Sequence, residues 1–263
     1  MNAEKVTNHI VNWLKNYANH ANIKGFVVGI SGGIDSAVTS TLCAKTGLQT
    51  LCLEMPIHQA QNQVSRGQEH ITQLKNKYSN VTSNLIDLTT TFEEFKSIAP
   101  KTNDLDKVNL SLANTRARLR MTTLYYSAGL EGLLVAGTGN KVEDFGVGFY
   151  TKYGDGGVDI SPIADLLKSE VYAIAEYLGV ATAIQNAAPT DGLFGDSRTD
   201  EDQLGASYDE LEWAMKNYDL GKSSNDFTER DLEVFTIYTK LHKANLHKMN
   251  PIPVCEISET LKK

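Results

Sequence analysis

The sequence predicts an α/β protein, a parallel sheet flanked by helices with a helical C-terminal elaboration. Three observations lead there. Short apolar runs alternate with helix-period segments, the first and last of these runs open into glycine loops, and no run approaches the length of a membrane span. The chain has 263 residues with 25 basic and 32 acidic side chains, a formal net charge of −7, and 41% hydrophobic residues. That is enough to bury a core without disulfides or metals. No linker or internal repeat divides it, so residues 1–263 are expected to form a single domain.

Val6, Ile10, Trp13, Leu14 and Tyr17 recur at helical spacing and predict an opening helix over about 3–20. The continuous apolar run Gly25 to Ile30 reads as a buried strand, and Ala37 to Lys45 as the helix after it. Gln49 to Glu54 (strand), Gln61 to Tyr78 (helix) and Ser83 to Leu88 (strand) repeat the alternation, which implies a parallel sheet. Thr91 and Glu94 have capping-box spacing for a short helix ending before Pro100. A polar connection over Pro100 to Asp106 leads into a long helix, Leu110 to Leu130. Leu133 to Gly137 is a further buried strand, Gly146 to Gly157 an ordered loop, and Lys168 to Leu178 a helix. Tyr208 to Met215 and Thr228 to Leu246 are the C-terminal helices. Between them, Thr190 to Gly205 combines glycines with five acids and is expected to be a lid, poorly ordered until ligands bind.

Composition excludes several functions. The acidic balance argues against nucleic acid as a partner, because phosphate contacts need clustered Lys and Arg. No segment suits a membrane, and the start Met1-Asn2-Ala3-Glu4-Lys5 lacks a leader pattern, so a cytoplasmic location is expected. Cys43, Cys52 and Cys255 form no Cys-x-x-Cys pair and are expected to be buried thiols.

The informative segment is Ser31-Gly32-Gly33-Ile34-Asp35-Ser36, where a strand hands over to a helix N-terminus. Unpaired N–H groups and the helix dipole favour an anion there. Paired glycines allow close backbone approach, Ser31 and Ser36 add hydroxyls, and Asp35 suits a magnesium ion. Neither Gly-x-x-x-x-Gly-Lys-Ser/Thr nor Gly-x-Gly-x-x-Gly fits. A lone glycine pair would read as a tight turn with a capping Ser or Asp. Six suitable residues at a position the strand–helix pattern independently selects read as a pyrophosphate cradle.

This loop resembles the signature of the ATP pyrophosphatase family, which cleaves ATP between the α and β phosphates. Further segments resemble the NAD synthetases, in the same order along nearly the whole chain. They are Ala117-Arg118-Leu119-Arg120-Met121, Gly137-Thr138-Gly139-Asn140-Lys141-Val142-Glu143, Tyr150 to Gly157, Ala188-Pro189-Thr190 and His247-Lys248. The resemblance implies a fold of the adenine nucleotide alpha hydrolase-like, Rossmann-like type. It implies a ligase, using ammonia rather than glutamine, that amidates nicotinic acid adenine dinucleotide (deamido-NAD) to NAD through an adenylated intermediate, and a homodimer. By the same resemblance ATP meets Gly29, Ile30, Ser31, Gly32, Gly33, Ile34, Asp35, Ser36, Thr138, Lys168 and Thr190. Arg118, Lys152, Asp159, His247 and Lys248 meet deamido-NAD, while Asp35 and Glu143 hold Mg2+. Read singly, each of these basic residues is an ordinary surface charge and Glu143 a solvated carboxylate. Lys168 would place positive charge on the α-phosphate, and Asp155 is a candidate for receiving the proton of ammonia, with a turn-stabilising role the equal alternative.

Two departures from the family stand out. Many members read Thr-Asp-His-Ala-Ala-Glu where this chain has Thr138-Gly139-Asn140-Lys141-Val142-Glu143, and the stretch from Glu143 to Lys152 is one residue longer, which leaves the path of Asp144 to Phe149 open. The competing reading is another adenylating enzyme of the loop family, a tRNA-modifying or GMP synthetase-like one. Against a tRNA-modifying enzyme stands the absence of basic RNA-binding segments and cysteine pairs. A third is a module that holds ATP without turning it over, which pyrophosphate release would eliminate.

Overall fold

The computed structural model describes residues 1–59, 61–190 and 199–263. Its opening helix α1 (Ala3–His20) begins where the Asn2 side chain accepts from the Lys5 N–H, and turns Thr7, Ile10, Leu14 and Ala18 inward. Strand β1 (Gly25–Gly29), helix α2 (Ile34–Lys45), strand β2 (Gln49–Glu54), helix α3 (Gln61–Lys77) and strand β3 (Val81–Leu85) follow. Then come α4 (Thr89–Ile98), the long α5 (Leu105–Glu131) and the short strand β4 (Leu134–Val135). A π-turn over Val142–Val147 precedes α6 (Lys168–Leu178), α7 (Thr182–Gln185), α8 (Asp200–Leu204), α9 (Tyr208–Asp219), α10 (Glu229–Met249) and α11 (Glu259–Lys262).

The strands form one parallel sheet in the order β3-β2-β1-β4, with Gly25 opposite Gln49 and Phe26 opposite Leu134. Alternation along β1 sends Phe26 and Val28 to the face packed by α1, α2 and α6, and Val27 to the face shared with Leu51, Leu53 and Val135. Both faces are covered, as a parallel sheet requires. A further cluster, with Leu211, Phe235 and Tyr238 at its centre, packs α9 and α10 on the π-turn. Because β2 and β3 lie on one side of β1 and β4 on the other, the order reverses between β1 and β4. The loops leaving those two strands open a crevice, where open α/β sheets take their ligands.

The structure shifts several expected elements. β3 spans Val81–Leu85 instead of Ser83–Leu88, because its place is set by pairing Thr50 with Val81 and Glu54 with Leu85; its own pattern is weak at the sheet edge, where of the five only Val81 is buried. Helix α4 starts at Thr89, whose N–H meets Asp87 Oδ1, so Thr91 lies inside the helix and forms no capping box. The polar connection after Pro100 is shorter than expected, since Asp104 caps α5 through the Lys107 N–H. Cys43 and Cys52 are buried, whereas Cys255 is exposed. Of the expected lid, residues 191–198 lie outside the described residues. Its last part is the helix α8, capped by Thr199 at one end and left-handed Gly205 at the other.

One glycine in the loop after β1 is sterically required. Gly32 has φ of +80°, and a Cβ there would stand 2.4 Å from the Gln63 carbonyl oxygen of α3. Arg66 of the same helix donates to the Gly32 carbonyl at 3.2 Å. Gly32→Ala is therefore expected to lower stability by about 2 kcal/mol and to weaken ATP binding by displacing the loop from α3. Thermal unfolding with and without ATP measures both.

Candidate active site

The loop after β1 is held open by its own hydroxyls. Ser31 and Ser36 Oγ atoms are 3.1 Å apart, the Gly33 N–H donates to Ser31 Oγ at 3.2 Å, and Ser36 Oγ donates to the Gly33 carbonyl at 3.0 Å. Helix α2 starts immediately after Gly33, so its first-turn N–H groups face the crevice entrance with the positive end of the helix dipole. Glycine and hydroxyl positions recognised in the sequence thus become a concave row of donors.

Three elements meet beyond that loop. Asp35 comes from the first turn of α2, Glu143 from the π-turn, and Lys168 is the first residue of α6. The Lys168 Nζ donates to Asp35 Oδ2 at 2.6 Å and to Glu143 Oε1 at 3.0 Å, and Lys168 is only 3% exposed. Asn140 braces the pair, donating to Asp35 Oδ1 at 3.2 Å and accepting the Glu143 N–H at 3.1 Å. Tyr208 of α9 donates to Glu143 Oε1 at 2.5 Å and to Asp200 Oδ2 at 3.3 Å, with Lys168 Nζ 4.7 Å from its ring centre.

Burial opposes every charge in this cluster. For Lys168 the two carboxylates outweigh that penalty and hold its pKa above the ordinary lysine value. Lys168, the Tyr208 hydroxyl and Asn140 likewise outweigh it at Glu143, which stays below the usual carboxylate range. At Asp35 burial prevails and raises the pKa, although Lys168 pulls the other way. Burial also raises Asp144 well above its ordinary value, reinforced by Glu143, Asp155 and Asp35. Asp155, which opens onto the crevice and accepts the Thr151 N–H at 3.0 Å, is pushed up to about 6, mainly by the protein around it.

The crevice brings together most of the residues expected at ATP. Gly29, Ile30, Ser31, Gly33, Ile34, Asp35, Ser36, Thr138, Lys168 and Thr190 all line it, as do Glu143 and Asp155. Gly32 is turned towards α3 instead. The residues expected at deamido-NAD form a second group outside this lining. Arg118 Nη2 donates to the Lys152 carbonyl at 3.3 Å, Lys152 Nζ to the His247 carbonyl at 2.5 Å, and Lys248 Nζ to the carbonyls of Gly148 and Tyr150, each at 2.8 Å. Asp159 accepts from the Val135 N–H at 2.8 Å and the Tyr125 hydroxyl at 3.0 Å, which anchors β4 and α5.

Sequence reasoning missed Tyr208, Asp200, Asn140, Asp144 and Arg120. Arg120 lines the crevice and donates to the Met55 carbonyl at 2.9 Å. Asn140 sits in a motif already singled out, but Tyr208 reaches Glu143 across 65 residues, a pairing that no local pattern encodes.

By fold and loop the chain has the build of a nucleotide-binding α/β protein, with a Ser-Gly-Gly-x-Asp-Ser turn at the switch point of a parallel sheet. Comparison with known proteins narrows the class. The profile described as NAD synthase matches residues 6–252. An NH(3)-dependent NAD(+) synthetase of Mesoplasma florum is 38% identical over 251 residues, covering 95% of this chain and 96% of that protein. Among solved structures, an NMN synthetase from Francisella tularensis superposes with a TM-score of 0.83 at 31% identity, over 98% of this chain and all of the other. An NH3-dependent NAD synthetase from Campylobacter jejuni gives 0.78 at 25% identity, over 97% and 100%. The chain belongs to the NAD synthase family and is a ligase that forms a C–N bond.

Removing the central cation tests the cluster. Lys168→Met keeps an unbranched side chain, one atom shorter and uncharged, and leaves Asp35 and Glu143 facing each other without compensation. The expected loss of stability is about 3 kcal/mol, with pyrophosphate release abolished. Denaturant unfolding and a pyrophosphate assay report the two effects separately.

Proposed function

We propose that the crevice carries out ATP-dependent amidation of deamido-NAD to NAD with ammonia, releasing AMP and pyrophosphate. The observation that carries this reading is the Asp35–Lys168–Glu143 cluster beside the Ser31–Ser36 loop in a chain of the NAD synthase family. In the first step the nicotinate carboxylate attacks the α-phosphorus and the bond to the β-phosphate breaks. Loop N–H groups and Lys168 stabilise the charge that develops, and the substrate itself supplies the nucleophile. In the second step ammonia attacks the acyl carbon, the C–O bond to AMP breaks, and Asp155 receives a proton.

The loop Gly29 to Ser36 with Thr138, Lys168 and Thr190 is assigned to ATP, supported by the lining described above. Arg118, Lys152, His247 and Lys248 are assigned to deamido-NAD, with Asp159 fixing Tyr125 on the same helix as Arg118. Asp35 and Glu143 are assigned to Mg2+. Their fit rests on hard oxygen donors that already converge on one cationic atom, Lys168 Nζ. When bound, the ion would neutralise charge on the departing pyrophosphate.

A homodimer is proposed on the exposed apolar residues of α5, Leu110, Tyr126 and Leu130, and of the chain end, Ile252, Val254 and Leu261. Among the described residues no helix is long and apolar enough to cross a membrane. A cytoplasmic site of action is proposed on the use of ATP and on free Cys43, Cys52 and Cys255. Residues 1–263 are read as one domain, since the sheet's two core clusters and the α9–α10 cluster are joined through α6 and the π-turn.

A second substrate is worth separating from the first. The Francisella tularensis relative is an NMN synthetase, and nicotinic acid mononucleotide presents the same carboxylate without the adenylate half. Deamido-NAD is favoured by the basic group of Arg118, Lys152 and Lys248 beyond the crevice lining. With ATP, magnesium and ammonium, NAD and pyrophosphate are expected to form in equal amounts from deamido-NAD, faster than NMN forms from the mononucleotide, and chelating magnesium should stop both. No pyrophosphate from either substrate would refute the reading.

The raised pKa of Asp155 gives a pH signature. Its carboxyl keeps the proton up to about pH 6 and accepts one only above that. The amidation step is therefore expected to lose rate as pH falls through about 6, beyond the loss due to protonation of ammonia itself. Asp155→Asn should lower the rate and abolish that additional limb, measured by mixing preformed adenylate with ammonium at constant free ammonia.

A further inference from the structure

One carboxyl in the crevice is used neither by the loop nor by the Lys168 bridge. Asp144 follows Glu143 in the π-turn and lines the crevice, walled in by protein elsewhere. Among the described residues no hydrogen-bond donor reaches its carboxyl oxygens, and a group in that position is costly unless a ligand satisfies it. The segment that carries it is a π-turn, Val142–Val147, and such turns cluster at functional sites.

Gly139 shows that the placement is specific. A Cβ on residue 139 would stand 2.1 to 2.3 Å from the Asp144 carboxyl atoms, so the carboxyl fills the space that any other residue at 139 would take. Asp155 lines the same crevice, and Tyr150 lies within electrostatic reach of both acids, its ring packed where Gly156 has no Cβ. Asp144 and Asp155 thus put two carboxyls on the crevice wall, with Lys248 within electrostatic reach of Asp155.

The chemistry of that wall selects its ligand. A small cation with several N–H donors suits separated carboxyl oxygens. We propose that Asp144 contacts the nitrogen donor, accepting an N–H of ammonium opposite Asp155 and positioning it for the amidation step. This rests on the amidation reading above.

The test separates the two half-reactions. Asp144→Asn keeps the shape and replaces one acceptor oxygen by an NH2 donor. Gly139→Ala leaves the charge and pushes the carboxyl aside. Each is expected to raise the apparent KM for ammonium roughly tenfold or more, while ATP–pyrophosphate exchange without ammonium changes by less than about twofold. An unchanged ammonium KM in Asp144→Asn overturns the proposal. So does a parallel fall in exchange, which would place Asp144 with the ATP phosphates or their magnesium. If the unmodified enzyme shows no ammonium-dependent amidation of any nicotinate nucleotide, the amidation reading fails as well, an outcome distinct from the other two.

Discussion

The site depends on one buried ammonium held between two carboxylates from distant parts of the chain. Lys168 stands 133 residues from Asp35 and 25 from Glu143, and its Nζ touches both. Burying a lysine alone is prohibitive, and burying two carboxylates side by side is worse. Together the three groups tolerate low exposure because each answers the charge of another, with Asn140 and Tyr208 taking remaining lone pairs and protons. The cluster therefore fixes how the loop after β1, the π-turn after β4 and the start of α6 sit relative to one another. Its net contribution to stability is small compared with its contribution to geometry, since a hydrophobic trio of the same volume would pack as well and bind no phosphate.

The sheet makes that convergence possible. Only at the reversal between β1 and β4 do two strands send their following loops apart, one towards α2 and the other towards the π-turn. Lys168 can bridge them because α6 packs against α2 on the same face of the sheet. The apolar residues that place it there, Val171, Ile174 and Ala175 among them, are fully buried. The core thus sets the geometry of the polar cluster.

The sequence made parts of this legible and hid others for identifiable reasons. Strand β2 and helix α6 fall on the expected residues, Gln49–Glu54 and Lys168–Leu178, because continuous apolar runs and a 3.6-residue period are local signals. β3 did not, since an edge strand takes its register from its neighbour. The Ser31–Ser36 loop was legible because glycine and serine advertise backbone geometry. Tyr208 was not, because a phenol is as common in a helix core as in a site and only tertiary structure brings it to Glu143. The conformation after Glu143 was not legible either: a π-turn keeps Glu143 on Lys168 and places Asp144 at the crevice wall, which no local pattern signals.

The groups that line the crevice differ in a way the proposed two-step reaction requires. Adenylation places negative charge on phosphate and needs donors and cations, the role proposed for the loop and Lys168. Amidation needs ammonia, which in neutral solution is mostly ammonium and becomes a nucleophile only on losing a proton, so carboxyls such as those proposed for this step, Asp144 and Asp155, suit its capture. A single crevice of uniform charge would serve one step at the expense of the other. The boundary between the two regimes falls in the π-turn, where Glu143 belongs to Lys168 and the next residue, Asp144, does not. Adjacent carboxyls on a wider helical turn can be aimed at different neighbours, and this allows one short segment to face both halves of the chemistry.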